Sequence, residues 1–181
     1  GEKRRWLHGS GNNIPSFEIF ISPDWRGTEG KISFNQPLYA YGTVIQDVSL
    51  EFKQGRVVKF HASQNQKVLD AMIKTKNADK LGEFSLTDKR FSKITKFMAE
   101  TLFDENMGGP YGNMHIALGR SFYDSFKGDP ATNKTPDWQN LGFNQSAVHT
   151  DIVVTTDRTI TAILRNGKEK IIYNKGRFVV D

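Results

Sequence analysis

The chain has 181 residues, within the range of one domain, and its 37% hydrophobic residues include no run near the roughly 18 that span a bilayer. With no cysteine, disulfides, thiolate nucleophiles and Cys-ligated metals are excluded; this fits a reducing cytoplasm and leaves any metal to Asp, Glu and the 4 His. A net charge of +5 invites a nucleic-acid reading, but Lys3-Arg4-Arg5 is the single basic cluster of three and lies near a terminus, so no nucleic acid and no membrane is expected as a partner.

The chain opens at Gly1 in the charged segment Glu2-Lys3-Arg4-Arg5, which reads as a piece cut from a longer protein. Residues 17–21 (Phe-Glu-Ile-Phe-Ile) predict a buried strand ending at the turn signal Ser22-Pro23-Asp24. Residues 31–34 predict a short strand. Residues 43–52 and 56–62 predict a hairpin through Lys53-Gln54-Gly55, with Val48, Leu50 and Phe52 on one face. Ser63 is positioned to cap a helix to about Lys76, with Val68, Leu69, Met72 and Ile73 as its apolar stripe. A strand over 83–86 precedes a second helix over 92–103 that would bury Ile94, Phe97, Met98 and Leu102. Residues 107–113 form a loop around Gly108-Gly109-Pro110, residues 114–118 a strand, and residues 125–140 a polar connection. The last third predicts strands over 148–154, 159–164, 170–173 and 178–180, with Asn166-Gly167 the sharpest hairpin signal. This pattern is an α+β class: a strand-dominated mixed sheet or partly closed barrel with two main helices, in a single domain.

Polar residues interrupt several of these apolar runs. His149 and Asp151 are two apart in Ser146-Ala147-Val148-His149-Thr150-Asp151, so on a strand they share a face, as a salt-linked pair or as metal ligands. Glu18 and Glu83 sit in strand-like segments, either as edge residues facing water or as buried carboxylates that need a cation. Asp104 and Glu105 fall where a helix should end, against its dipole, and His115 lies inside Met114-His115-Ile116-Ala117-Leu118. Glu18, Glu83, Glu105, His115, His149 and Asp151 together would suit two divalent ions about 3.5–4 Å apart with a bridging carboxylate, which lower the pKa of a water toward about 7.

Asn13-Ile14-Pro15-Ser16-Phe17-Glu18, Leu81-Gly82-Glu83, Thr101-Leu102-Phe103-Asp104-Glu105-Asn106, His115-Ile116-Ala117-Leu118-Gly119 and Ser146-Ala147-Val148-His149-Thr150-Asp151 occur in that order. The series resembles the M29 family of metallo-aminopeptidases over nearly the whole chain. The resemblance implies a dinuclear exopeptidase that removes N-terminal residues from peptides with two zinc, cobalt or manganese ions. It implies Glu18, Glu83, Glu105, His115, His149 and Asp151 as metal ligands, Glu83 as the shared carboxylate, and Tyr123 as the tyrosine that stabilises the tetrahedral intermediate. It further implies that this is the C-terminal metal-binding domain of a chain with an N-terminal domain, homodimeric at full length. Three departures from the family pattern stand out: Phe17 where a glycine is usual, a longer segment from Asn106 to Met114, and one extra residue between His115 and Tyr123. A catalytically inactive domain that binds peptides or proteins is the alternative reading.

Overall fold

A computed structural model of the protein describes residues 3–9, 16–132 and 135–179. Glu2, the Asn13-Ile14-Pro15 start of the first motif, residues 133–134 of the polar connection and Val180 lie outside the described residues. In chain order the strands are β1 (Leu7–His8), β2 (Glu18–Ile21), β3 (Gly30–Ser33), β4 (Leu38–Ala40), β5 (Thr43–Ile45), β6 (Ser49–Lys53) and β7 (Arg56–His61). Helix α1 (Gln66–Lys74) leads to β8 (Leu81–Thr87), the single turn α2 (Thr101–Asp104), β9 (Asn113–Gly119) and α3 (Thr135–Asn140). The chain closes with β10 (His149–Val154), β11 (Thr159–Ile163), β12 (Glu169–Asn174) and β13 (Arg177–Phe178).

Everything that matters for the site hangs on one antiparallel five-stranded sheet of order β1-β2-β8-β9-β10. Strand residues alternate faces, and here the alternation separates chemistry from core. Ile116, Leu118, Ile152 and Val154 face the hydrophobic core, where they meet Val48, Leu50 and Phe52 of the β6 run and Leu69, Met72 and Ile73 of α1. Their neighbours His115, Ala117, His149 and Asp151 face the other way. The apolar stripe expected for α1 is therefore present, although the helix starts at Gln66 because Ser63 gives its hydroxyl to Asp47 instead.

The described strands form four open sheets, with no closed barrel among the described residues. The expected strand over 43–52 is broken into β5 and β6 at Asp47, whose backbone is left-handed at φ 52. The helix expected over 92–103 does not form. Its spacing is right, but the Asp104 carboxylate accepts the main-chain N–H groups of Met98 (2.7 Å) and Glu100 (3.1 Å), and Ala99 is left-handed at φ 57. Ser92 likewise gives its hydroxyl to the Asn106 carbonyl at 2.6 Å. Side-chain competition for backbone groups thus leaves an irregular segment ending in the one-turn α2. Conversely, the polar connection contains α3, so the described helices are three rather than two.

Candidate metal centre

The register of the sheet brings distant residues to one place. Ser85 on β8 pairs with Phe20 on β2 and with His115 on β9, while Ala117 on β9 pairs with both Glu83 and Asp151. Directly paired residues share a face, so Glu18, Phe20, Glu83, Ser85, His115, His149 and Asp151 all project from one side. Small side chains at Ser85 and Ala117 leave room for the long ones between them. Gly82 allows the irregularity that sets Glu83: a Cβ there would come within 2.3 Å of the Arg120 carbonyl. The sixth residue, Glu105, arrives from the end of α2 and is anchored by Asn113, whose amide donates to the Glu105 carbonyl at 2.7 Å.

All six residues singled out in the sequence come together. Glu18, Glu83 and His115 form one group, Glu83, His149 and Asp151 a second, and Glu105, His115 and Asp151 a third, with donor atoms in each group within 4.8 Å of one another. His115 Nε2 lies 3.3 Å from Glu18 Oε2, 3.3 Å from Glu83 Oε1 and 3.8 Å from Asp151 Oδ1. His149 Nε2 lies 3.6 Å from both Glu83 Oε2 and Asp151 Oδ1. Glu83 therefore turns one oxygen to each histidine.

The histidine tautomers follow from their other nitrogens. His115 Nδ1 meets the Glu105 carbonyl at 3.2 Å, and His149 Nδ1 meets the Arg120 carbonyl at 2.8 Å. A carbonyl only accepts, so each Nδ1 must donate. In the neutral ring that leaves Nε2 as a lone pair aimed into the carboxylates, the arrangement of a metal-ligating histidine. Lone pairs facing carboxylate oxygens repel unless a cation lies between them.

Without an ion, protons take that place. Burial disfavours charge on His115, yet Glu83, Glu18 and Asp151 outweigh it and push the imidazole up to about 10. Burial, then the nearby Asp151 charge, pushes Glu105 up to about 9. Burial also raises Glu83 and works against ionised Asp151, but the two histidines hold Asp151 below the ordinary carboxylate range. Asp151 Oδ1 is nonetheless buried without a hydrogen-bond partner. Four carboxylates, two inward Nε2 atoms and an orphaned oxygen fit divalent cations, by the chemistry of the donors alone.

The cluster floors a cavity of about 460 Å³ lined further by Phe20, Thr101, Leu102, Phe122 and Asp124. Tyr123 is not among the lining residues. Its ring stacks on Trp138 at 4.4 Å, and its hydroxyl accepts from Gln145 Nε2 at 2.7 Å. Phe122 occupies the cavity wall instead, 4.6 Å from the His149 ring. Tyr123 is half-buried and stacked on Trp138, outside the cavity lining. Phe20 and Phe122 carry no sequence signal as wall residues, because a phenylalanine in an apolar run does not reveal what it faces.

Residues 1–178 match the family model described as thermophilic metalloprotease (M29). The chain belongs to the M29 family. Relatives in that family include Aminopeptidase 2 of Geobacillus stearothermophilus, 31% identical over 173 residues, and Aminopeptidase PepS of Streptococcus thermophilus, 32% identical over 174. Each alignment covers 93% of this chain and 40% of the relative, so the chain spans about two fifths of the length of these M29 proteins. The solved structure titled wild-type AmpT from Thermus thermophilus superposes with a TM-score of 0.85 at 26% identity, over 98% of this chain and 45% of that one. Among the described residues of this M29 chain, no helix is long and apolar enough to cross a membrane.

Proposed function

We propose that the chain is the metal-binding part of an aminopeptidase that removes N-terminal residues from peptides, with Glu18, Glu83, Glu105, His115, His149 and Asp151 holding two divalent ions. The observation that carries this reading is the convergence of six donors on one sheet face, with both Nε2 atoms turned inward. Bound there, such ions supply Lewis acidity and a water that ionises near neutral pH. Glu83, with one oxygen toward each histidine, is suited to bridge them.

The charge of the cavity favours an amino terminus. Four carboxylates balance two divalent ions, and Asp124 at the exposed rim remains to attract an ammonium group. Among the described residues, no Lys or Arg lines the cavity to receive a carboxylate. Phe20 and Phe122, 5.8 Å apart with their rings edge to face, form an apolar wall with Leu102 that orients the first side chain and excludes water beside it. Ser85 holds Glu18 in place by donating to its Oε2 at 2.6 Å.

The alternative of a peptide-binding domain without turnover draws on the placement of Tyr123 against Trp138, which leaves no phenol among the described residues of the cavity wall. Hydrolysis of leucine nitroanilide and of its N-acetyl derivative, with zinc, cobalt or manganese added, separates the two. Release from the free amine alone, lost in Glu83→Gln, supports the aminopeptidase. Full metal binding with no release from either substrate supports the binding domain.

A further inference from the structure

The strand that carries His149 and Asp151 is also the last strand of its sheet, and its outer edge is only half covered. At its far end, the Thr155 N–H donates to Asn35 Oδ1 at 2.8 Å, and β4 runs close to β10, with Pro37, Leu38 and Val153 lining one small cavity. Residues 147–151 instead border a groove of about 360 Å³ whose opposite wall is Leu38, Tyr39, Ala40 and Tyr41. Tyr41 is 65% exposed and Tyr39 40%, so this wall stands open to solvent.

The direction of the main chain is set by two bonds. The Val148 carbonyl accepts from Arg120 N–H at 2.7 Å, so Val148 addresses β9. Gly119, paired with His149, gives its own N–H away from β10 to the Lys80 carbonyl at 2.8 Å. Alternation along an antiparallel strand then turns the N–H and C=O of His149 and Asp151 toward the groove, while their side chains reach the metal cluster. Thr101, His149 and Asp151 line both the groove and the cavity over the cluster, so the two adjoin at these residues. Phe20 and Phe122 form an apolar wall of the cavity, and the groove adjoins it on the β10 side.

We propose that the residues of a peptide substrate beyond its first bind as an added strand along β10 at positions 147–151, between that edge and Tyr39 and Tyr41. The proposal rests on the aminopeptidase reading for the identity of its occupant. An added strand lies about 4.8 Å from β10, which brings its main chain beside the cluster in a fixed register. Apart from His149 and Asp151, no charged side chain among the described residues lines the groove, so recognition is by main-chain hydrogen bonds and aromatic faces and tolerates many sequences.

The test uses the zinc-loaded chain and leucine-headed alanine peptides whose first amide is reduced to a methyleneamine, so that they bind without being cut. Calorimetry is expected to show affinity rising from two residues to four. N-methylation at the third residue, or Tyr41→Ala on the exposed wall, should weaken the longer peptide about 5- to 10-fold. Equal affinity at every length, indifference to N-methylation, or no peptide binding at all would overturn the groove. Nitroanilide turnover measured in parallel keeps the two ideas apart. Turnover without length dependence removes the groove alone, whereas length-dependent binding without turnover for any metal removes hydrolysis and leaves the groove.

Discussion

Filling the cluster with metal should release protons in a number fixed by its electrostatics. In the metal-free chain His115, near 10, and Glu105, near 9, are both protonated at neutral pH. Both are proposed ligands, and a ligand must bind through a deprotonated atom. At least these two protons therefore leave as the site fills, since Glu83 and His149 are raised as well; they bind only the metal-free form, so raising the pH favours the metal. Between about pH 5.5 and 7.5 the apparent affinity should rise at least about 100-fold per unit, near 3 kcal/mol, flattening as the pH approaches 9 to 10. Calorimetric titration of zinc in buffers of different ionisation enthalpy counts the protons, and competition against a chelator gives the slope. Release of less than about half a proton, with affinity flat across that range, would refute the idea that protons hold the place of the ions.

Three further outcomes follow from the same geometry. Glu105→Gln should raise the unfolding temperature of the metal-free chain at pH 8 by about 5 °C or more, because a carboxyl whose pKa is raised by folding loses stability as pH climbs from its unfolded value toward about 9. The gap should close near pH 4.5, and zinc affinity should fall about 10- to 100-fold; an unchanged melting curve at pH 8 contradicts the burial of that charge. Tyr123→Phe should leave kcat within about twofold, since the lost hydroxyl only accepts from Gln145; a hundredfold loss at full metal content would place that hydroxyl at the reaction. Ile152→Ala, on the core face of β10 and 1% exposed, should cost about 2–5 kcal/mol in denaturant unfolding while leaving the metal stoichiometry of the folded chain unchanged.

How much of this was legible in the chain varies with the range of the interactions. The alternation in residues 148–154 was enough to put His149 and Asp151 on one face, and the misplaced polarity of Glu18, Glu83 and His115 marked three more of the clustered residues. Their convergence was less legible, since it depends on the strand order β2-β8-β9-β10, which pairs residues as far apart as Glu18 and Thr87. The false helix over 92–103 had correct periodicity; what dissolved it was the Asp104 carboxylate capturing two N–H groups, a local competition that apolar spacing does not encode. Tyr123 shows how little a motif fixes direction. Its ring stacks on Trp138, half-buried, while the neighbouring Phe122 lines the cavity. The half-open edge of β10 is invisible in sequence because its opposite wall, Tyr39 and Tyr41, is supplied from more than a hundred residues away.

The proposed metal centre places two divalent ions among these six side chains, five on one sheet face and Glu105 at the end of α2. Anomalous diffraction at the zinc edge from zinc-soaked crystals of the chain tests it most directly. Two peaks about 3.5–4 Å apart with Glu83 between them are the expected result; a single peak, or zinc bound only elsewhere on the surface, would contradict it.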